Sequence, residues 1–420
     1  MRGLIVTFAV LAVAAATTQT TYENYKVYQV KPQTDEEAKV LLSFKRFTPE
    51  IDFWNELHAV GQSVDVMVSP NLQQLFLNNL RNHNIAFYEI ISDVERLFQN
   101  ERMNQRSAPK AAEGRINFVE FHRYGVIESY LKKIAEEYPE ITRLRTPANT
   151  TEGRPIYMLR ITTGGSQGGQ HTKPAILIDG GIHAREWISP ATVLYIIQEL
   201  VENPENRHMI ENVDWMIIPV LNPDGYEYTH TNSRLWRKNR SKGKRCTGTD
   251  LNRNFGFHWM EVGASSDECD DTFAGKAGLS EPETEAITHI VGKHGEQIKL
   301  YLTFHSYGQY LLYPWGYTSA LPENWKEHDD LGHAVDKAIS AVAGTSYTIG
   351  SSTNTLYAAA GGSDDWVKGV GGVPVAFCIE LPGGGSWGFD PPTSMIHPVV
   401  TETWEGVKVF HKHVQTTYAN

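Results

Sequence analysis

Residues 17–100 alternate short apolar segments with amphipathic stretches. The apolar segments are rich in β-branched and aromatic residues, a composition typical of strands. These predicted strands lie at residues 25–30, 64–68 and 85–90. The stretches between them have helical spacing. The pattern predicts a small α/β unit with its helices on one side of a sheet.

The starts of two helices in this unit are marked by capping residues. Thr34 followed by Glu37 forms a capping box, and Ser69-Pro70 places a proline in the first turn of a second helix. In that second helix four apolar residues share one face, namely Leu72, Leu75, Phe76 and Leu80. We expect this face to pack against the sheet.

After Ile116 the repeating units become longer. The predicted helices are residues 126–138 and 189–202, and the predicted strands are residues 156–161, 175–178 and 215–219. A Gly-rich turn at residues 164–169 separates the first two of these strands. Strands separated by helices of this length imply a mostly parallel or mixed sheet that is covered on both faces.

Side chains with metal-binding chemistry follow three apolar segments. His183 and Glu186 come after one segment, His305 ends a second, and Glu380 ends a third. Ligands of such sheets bind beyond the carboxyl ends of the strands, so we expect these side chains to converge. Two imidazoles and one carboxylate are the ligand set of a zinc site with an open fourth position. The sequence therefore predicts a catalytic metal centre.

Composition and charge limit the class of protein and its partners. The chain has 420 residues, 41% hydrophobic and 21% charged, as in soluble globular proteins, and its length suggests two folded units plus extensions. A net charge of −11 and the absence of a Lys/Arg stripe argue against nucleic acid as a partner. Residues 1–16 have the basic, apolar and small-residue order of a secretory signal peptide. No later run suits a membrane span, so we expect no membrane partner. The signal-like sequence predicts a secreted protein, which we also expect to be a monomer.

A charged helical stretch from Asp93 leads into a polar segment at residues 106–110 that lacks apolar periodicity. It predicts an exposed linker between two units. Arg106 in this linker is a candidate for cleavage by an activating trypsin-like protease. The alternative is a tether that is never cut.

Three cysteines and two glycosylation sequons fit an oxidising compartment. Cys246 and Cys269 would close a polar loop if they pair, which leaves Cys378 as a buried thiol in an apolar segment. Three free thiols are the alternative. The sequons begin at Asn149 and Asn239, a pattern that also arises by chance.

Several ordered motifs have the spacing of one known family. They are His183-Ala-Arg-Glu186-Trp, Asn222-Pro-Asp-Gly-Tyr, Arg234-Leu-Trp-Arg237-Lys, Asp250-Leu-Asn252-Arg253-Asn, His305-Ser-Tyr and Ile379-Glu380-Leu. From residue 115 onward the chain resembles the zinc metallocarboxypeptidases of the pancreatic A/B type. Residues 1–106 resemble the signal peptide and activation segment of these enzymes.

The resemblance implies roles at the metal. His183, Glu186 and His305 are expected to bind one Zn²⁺ ion. Asp250 resembles the carboxylate that orients the first zinc histidine, although an ordinary loop aspartate is the alternative. Glu380 resembles the general base that takes a proton from the attacking water.

The resemblance also implies how a substrate is held. Arg237 resembles the cation that stabilises the oxyanion. Asn252 and Arg253 resemble the pair that binds a free α-carboxylate, and Tyr357 the mobile tyrosine that closes over it. Arg185 resembles a residue that binds farther along the peptide, with a purely structural role as the alternative.

Specificity is expected to rest on Asp364. In the family this position lies at the bottom of the pocket for the departing side chain, apolar in A-type enzymes and Asp in B-type enzymes. A carboxylate there favours C-terminal Lys or Arg. The alternative is that Asp364 caps a helix beginning near Asp365. Gly316, Ser352 and Cys378 are presumed pocket walls, while residues 382–389 depart from the vertebrate pattern.

The implied α/β architecture is a mixed, twisted, eight-stranded sheet flanked by helices, the zinc carboxypeptidase fold, preceded by a small ferredoxin-like α+β activation domain. The expected limits are a signal peptide at 1–16, an activation propeptide at 17–106 and a catalytic domain at 107–420. The expected partners are peptide or protein C-termini and the activating protease.

Three alternatives stay open from the sequence. The enzyme could be A-type and release aromatic or aliphatic residues. The chain could be a zinc-containing peptide-binding protein without turnover. Residues 17–106 could be a permanent regulatory domain instead of a removable shield.

Overall fold

The computed structural model describes residues 19–47, 50–57, 60–163 and 173–419. The expected signal peptide and the Gly-rich turn at 164–169 lie outside these residues. We call residues 19–107 the N-terminal unit and residues 108–419 the C-terminal unit.

The N-terminal unit is a four-stranded antiparallel sheet with two helices on one face and a third helix after it. Its elements are β1 (Lys26–Lys31), α1 (Asp35–Leu42), β2 (Ile51–Phe53), β3 (Val64–Val68), α2 (Pro70–Asn82), β4 (Ala86–Ile91) and α3 (Val94–Ser107). The strand order is β2-β3-β1-β4. The Thr34 side chain caps α1 by accepting from Glu37 N. The ferredoxin-like expectation for this unit is confirmed.

The alternation of side chains along β1 and β3 supplies two buried faces. Tyr28 and Val66 pack with α2, whereas Val27 and Met67 face the opposite way, toward the C-terminal unit. On α2 the prediction for Leu75 is wrong, since this side chain is 44% exposed. The short sheet covers only a narrow strip of the helix, centred on Phe76.

The C-terminal unit has eight strands and eight α-helices among the described residues. They are α4 (Tyr124–Glu137), β5 (Thr142–Asn149), β6 (Pro155–Ile161), β7 (Ala175–Gly180), α5 (Ile188–Val201), β8 (Asp214–Ile218), α6 (Pro223–Thr231), α7 (Pro282–His294), β9 (Ile298–Ser306), β10 (Tyr310–Tyr313), α8 (Trp325–Ala343), β11 (Thr348–Ser351), α9 (Ser352–Thr355), α10 (Ser363–Gly369), β12 (Val375–Leu381) and α11 (Ile396–Tyr418).

These strands form one mixed sheet in the order β11-β10-β12-β9-β7-β8-β6-β5. The inner strands β12, β9, β7 and β8 are mutually parallel. Helices cover both faces: Ile178 and Phe304 point to one apolar core, and Leu177 and Tyr301 to the other. The predicted mixed eight-stranded sheet covered on both faces is confirmed.

The helical stretch predicted from Asp93 is present as helix α3, which Asp93 caps. Its apolar residues Val94 and Phe98 are buried between the two units. Its outer face and its end, with Arg106, are exposed. Among the described residues, no helix combines the length and apolar character required to cross a membrane.

The predicted disulfide is confirmed. Cys246 and Cys269 are bonded, with their Cα atoms 5.1 Å apart, so the alternative of three free thiols is wrong. Cys378 is a buried free thiol in β12, as expected.

Candidate metal centre and substrate cleft

The site lies at the carboxyl ends of three adjacent parallel strands, β7, β9 and β12. His305 near the end of β9 is the register partner of Glu380 in β12. His183 and Glu186 lie in the turn between β7 and α5. The convergence expected from three separate apolar segments therefore follows from the order of the strands.

A tight turn presents His183 and Glu186 to the sheet. Gly181 has φ +64°, and its N–H donates to Ser189 Oγ at 2.9 Å. The Ser189 hydroxyl donates to Phe304 O at 2.6 Å, which ties the turn to β9. Helix α5 begins at Ile188, one residue before its predicted start and without a side-chain cap, and the Ser189 hydroxyl fixes the turn instead.

Three side chains meet at one point. His183 Nδ1 lies 2.8 Å from Glu186 Oε1 and 3.1 Å from His305 Nδ1. His305 Nδ1 lies 3.3 Å from Glu186 Oε2. Two ligand atoms held tetrahedrally at about 2.0–2.1 Å from zinc lie about 3.3 Å apart, so this spacing fits one zinc ion. The group is fully buried and could hold a metal ion.

Hydrogen bonds at the Nε2 atoms of His183 and His305 orient both imidazoles toward the metal position. His183 Nε2 lies 3.1 Å from Asp250 Oδ1, and a carboxylate can only accept, so Nε2 carries the proton. Thr303 Oγ1 donates to Asp179 Oδ1 at 2.9 Å and therefore accepts from His305 Nε2 at 3.2 Å. Both Nδ1 lone pairs are left to face the metal position.

The electrostatics of the pocket favour a cation. Burial disfavours the charged carboxylate of Glu186, but His183 and His305 hold its pKa below the usual value. Burial alone would lower the pKa of His305, yet Glu186 raises it to about 9. A positive charge is thus stabilised between these groups, and a bound dication would take the place of the proton.

Asp250 connects the metal position to an arginine. Arg237 donates from Nε and Nη2 to Asp250 Oδ2, at 3.1 and 2.9 Å. Burial disfavours the ionised form of Asp250, but the guanidinium of Arg237 and then His183 hold its pKa well below the usual range. Asp250 thus orients His183 and Arg237 together, which is more than a loop aspartate would do.

Asn252 and Arg253, the pair expected to bind a carboxylate, come two and three residues after Asp250. Arg253 Nη2 donates to the Tyr357 hydroxyl at 3.1 Å, and Arg253 Nε donates to Gly263 O at 2.8 Å. Asn252 N donates to Asp250 Oδ1 at 3.0 Å, and Asn252 Oδ1 accepts from Ser363 N at 2.9 Å. This segment is therefore tied to both the metal centre and helix α10.

One cavity of about 120 Å³ joins these groups to the predicted specificity residue. Asp364 lines it, as do the presumed walls Gly316, Ser352 and Cys378. Helix α10 begins at Ser363 with Gly362 as its N-cap, so Asp364 lies in the first turn and is not the cap residue. Asp364 is therefore an internal residue of α10 that lines the cavity, and the alternative that it caps this helix is wrong.

Glu380 borders the same cavity beside His305. Burial raises the pKa of its carboxyl to about 7. A carboxyl group with a pKa near neutrality suits both acceptance and return of a proton near pH 7.

The N-terminal unit closes the cleft. Asp52 Oδ2 accepts from Arg185 Nη1 at 3.1 Å, across the two units. The Trp54 ring packs 5.6 Å from that of Phe389, the last residue of the segment that departs from the vertebrate pattern. Tyr307 OH donates to Asp65 Oδ2 at 2.9 Å. These contacts occupy Arg185 and fill one side of the cleft.

Sequence reasoning assigned no role to several of these residues. Thr303 shares the strand face of His305, two positions away, and this spacing could have revealed it. Asp179 ends the apolar segment before His183, which is a weaker signal. Asp52 and Trp54 lie in the short strand β2 and the loop that follows it, where no periodicity marks them.

Metal binding tests this geometry. We expect His305→Ala to lose the metal and Asp250→Asn to lower zinc affinity about 10–100-fold, because the proton that orients His183 is no longer fixed. Zinc per chain, measured by atomic emission after dialysis against graded zinc buffers, gives both values. Glu285→Gln, an exposed carboxylate, serves as the control. Full zinc content in His305→Ala would contradict the assignment.

Comparisons with known proteins identify the family to which this chain belongs. Residues 127–406 match the family model described as zinc carboxypeptidase, and residues 28–101 match that of the carboxypeptidase activation peptide. Carboxypeptidase B of Astacus astacus is 47% identical over 308 residues, which cover 72% of this chain and 100% of that protein. Zinc carboxypeptidase A 1 of Drosophila melanogaster is 36% identical over 396 residues, covering 93% and 92%. The crystal structure of carboxypeptidase A from Helicoverpa armigera has a TM-score of 0.88 at 32% identity, covering 95% of this chain and 99% of that one. The chain therefore belongs to the zinc carboxypeptidases, as a zymogen form that carries its activation peptide.

Proposed function

We propose that this zymogen is secreted, is activated by cleavage at Arg106, and then removes C-terminal Lys or Arg from peptides. The observation that carries the specificity is the position of Asp364, a buried carboxylate at the wall of the catalytic cavity. The proposed limits are a signal peptide at 1–16, an activation segment at 17–106 and a catalytic domain at 107–420.

The other charges of the cavity support a cationic substrate side chain. Of its arginines, Arg237 is bound to Asp250, and Arg253 is assigned to the substrate's α-carboxylate, so neither is left to neutralise Asp364. Burial raises the pKa of Asp364, because its charged form is poorly solvated there. A Lys or Arg side chain would neutralise this carboxylate, whereas an aromatic side chain would leave it desolvated. The Astacus astacus relative, named carboxypeptidase B, points the same way.

Binding of the substrate's end is assigned to Asn252 and Arg253. A guanidinium forms paired hydrogen bonds with a planar carboxylate, so Arg253 suits a free C-terminus. In the zymogen its Nη2 donates to Tyr357, and we propose that the α-carboxylate takes over this group after activation. Such an anchor explains removal of single terminal residues.

The bond-breaking step is assigned to Glu380 and Arg237. Zinc, when bound, acts as a Lewis acid that polarises the scissile carbonyl and acidifies a coordinated water. The Glu380 carboxylate accepts the proton of the attacking water and returns it to the leaving amine. Arg237, held by Asp250, donates to the oxygen that becomes negative in the transition state.

The surroundings of Arg106 support cleavage there. Arg106 is exposed in the last turn of α3. The next basic residues are engaged: Lys110 pairs with Glu120, and Arg115 lies 2.7 Å from Glu137. A protease needs an extended segment, and the end of a helix unwinds at low cost. Secretion is supported by the signal-like sequence of residues 1–16 and by the disulfide.

The role of Glu380 can be tested with an isosteric change. In the activated protein, Glu380→Gln is expected to lower kcat about 10²–10⁴-fold, since an amide cannot take the proton. Zinc content and substrate KM should stay close to the original values. Glu285→Gln is again the control. Full activity in Glu380→Gln would remove this mechanism, and an activated original chain without turnover would favour the peptide-binding alternative.

Specificity is tested with two peptides that differ only in a C-terminal Arg or Phe. We expect the activated chain to prefer Arg. Asp364→Asn should lower kcat/KM for Arg about 10²–10³-fold, as for loss of one partner of a buried ion pair, with little loss for Phe. Kinetics of both peptides with both proteins give the ratio. Faster Phe release by the unaltered chain would establish the A-type alternative.

Activation is tested by mild trypsin treatment of the full chain. Activity on the Arg peptide should appear together with a new N-terminus at Ser107, read by mass spectrometry. Arg106→Gln should stay latent at the same trypsin dose, while Arg102→Gln, on the same helix, should behave like the unaltered chain. Equal activity before and after cleavage would favour a permanent regulatory domain.

A further inference from the structure

We propose that Asn149 carries an N-linked glycan in the mature protein and that Asn239, in the second sequon, does not. The inference rests on the proposed secretion, because the modification requires passage through the secretory pathway. It concerns a surface outside the catalytic cleft. The two sequons are alike in sequence, so the structure alone distinguishes them.

Asn149 is placed as an acceptor must be. It is the last residue of β5, the edge strand of the sheet, and its register partner is Pro155. Its side chain is exposed, and within the described part of the chain no hydrogen bond engages its amide. Thr151, whose hydroxyl completes the sequon, is also exposed.

A fixed turn holds these two residues outward. Thr150 Oγ1 between them donates to the buried Asp224 Oδ1 at 2.7 Å, and Glu152 N donates to Asp224 Oδ2 at 2.8 Å. Gly153 N donates to Thr150 O at 2.9 Å and closes the turn. The middle side chain of the sequon therefore points inward, and its two neighbours face solvent.

Asn239 has the opposite environment. It is fully buried, and its amide nitrogen donates to Glu281 Oε2 at 2.8 Å and to Glu283 Oε2 at 3.0 Å. Its Oδ1 accepts from Ser241 and from Thr249 N. A glycan would replace one of the two amide hydrogens and would need space that the interior lacks. Chains modified at Asn239 could not reach this fold.

The reaction itself fits the free amide of Asn149. Its nitrogen attacks the anomeric carbon of an oligosaccharide linked to a polyisoprenyl pyrophosphate. A carbon–nitrogen bond forms, the bond from that carbon to the pyrophosphate oxygen breaks, and the amide nitrogen loses one proton. The lipid pyrophosphate leaves, and no oxidant or reductant is needed.

The site is separated from catalysis by two strands. In the sheet, β6 and β8 lie between β5 and β7, which places β5 roughly 14 Å from β7 at the usual strand spacing. We therefore expect the glycan to leave activity unchanged. At the sheet edge it would also hinder pairing with the edge of another molecule.

The test is secretion of the full chain from insect cells, with peptide mapping before and after treatment with peptide N-glycosidase. The unaltered chain and Thr151→Ser, which keeps the sequon, should carry a glycan at Asn149. Thr151→Ala and Asn149→Gln should lack it, and Ser241→Ala should match the unaltered chain. Activity on the Arg peptide after trypsin should be equal in all secreted forms and shows that each is folded.

An unmodified Asn149 in the secreted chain, or a glycan on Asn239 in active protein, would overturn the inference. A second form, with residues 1–16 replaced by the signal peptide of another secreted protein, separates this outcome from failure of secretion. If only that form is secreted and it carries the glycan at Asn149, the assignment of residues 1–16 fails and the inference stands.

Discussion

Buried carboxylates need cationic or hydrogen-bonding partners, and this requirement organises the metal centre. Glu186 lies between two imidazoles, and Asp250 is shared between His183 and Arg237. An ionised carboxylate left alone in such surroundings would cost several kcal/mol, so each pair also fixes the position of its members. The strand order β12-β9-β7 brings His183, Glu186 and His305 together. A dication completes a charge balance that the folded chain already prepares.

The N-terminal unit depends on the same requirement. Arg185 is only 2% exposed, and Asp52 accepts its hydrogen bond at 3.1 Å. Apolar packing of Trp54 on Phe389 excludes water around this ion pair and strengthens it. The closure of the cleft is therefore more than steric, since a carboxylate of the N-terminal unit holds a cation of the catalytic unit. Removal of the unit would leave Arg185 without this partner and available to a peptide.

Much of the fold could be predicted because each long element has its own periodicity. The failures occur where tertiary packing decides the outcome. Leu75 lies three residues after Leu72 on the predicted apolar face, but the sheet is too narrow to cover it together with Phe76. Ser189 has the composition of a helix start, yet its hydroxyl bonds to a strand that lies 115 residues later. The site could be predicted where motifs are local, whereas Asp52 meets its partner across 133 residues and has no local signal.

The neighbouring residues Asp364 and Asp365 have different environments that only the folded structure distinguishes. Both carboxylates are buried, and the family resemblance assigned the pocket to Asp364 alone. Asp365 accepts from Gly316 N and Tyr317 N, at 2.9 and 3.0 Å, and thereby fixes the backbone of the pocket wall. Asp364, one residue earlier on α10, lines the cavity. Successive residues of a helix point about 100° apart, so only one of the two can face a ligand while the other holds the scaffold.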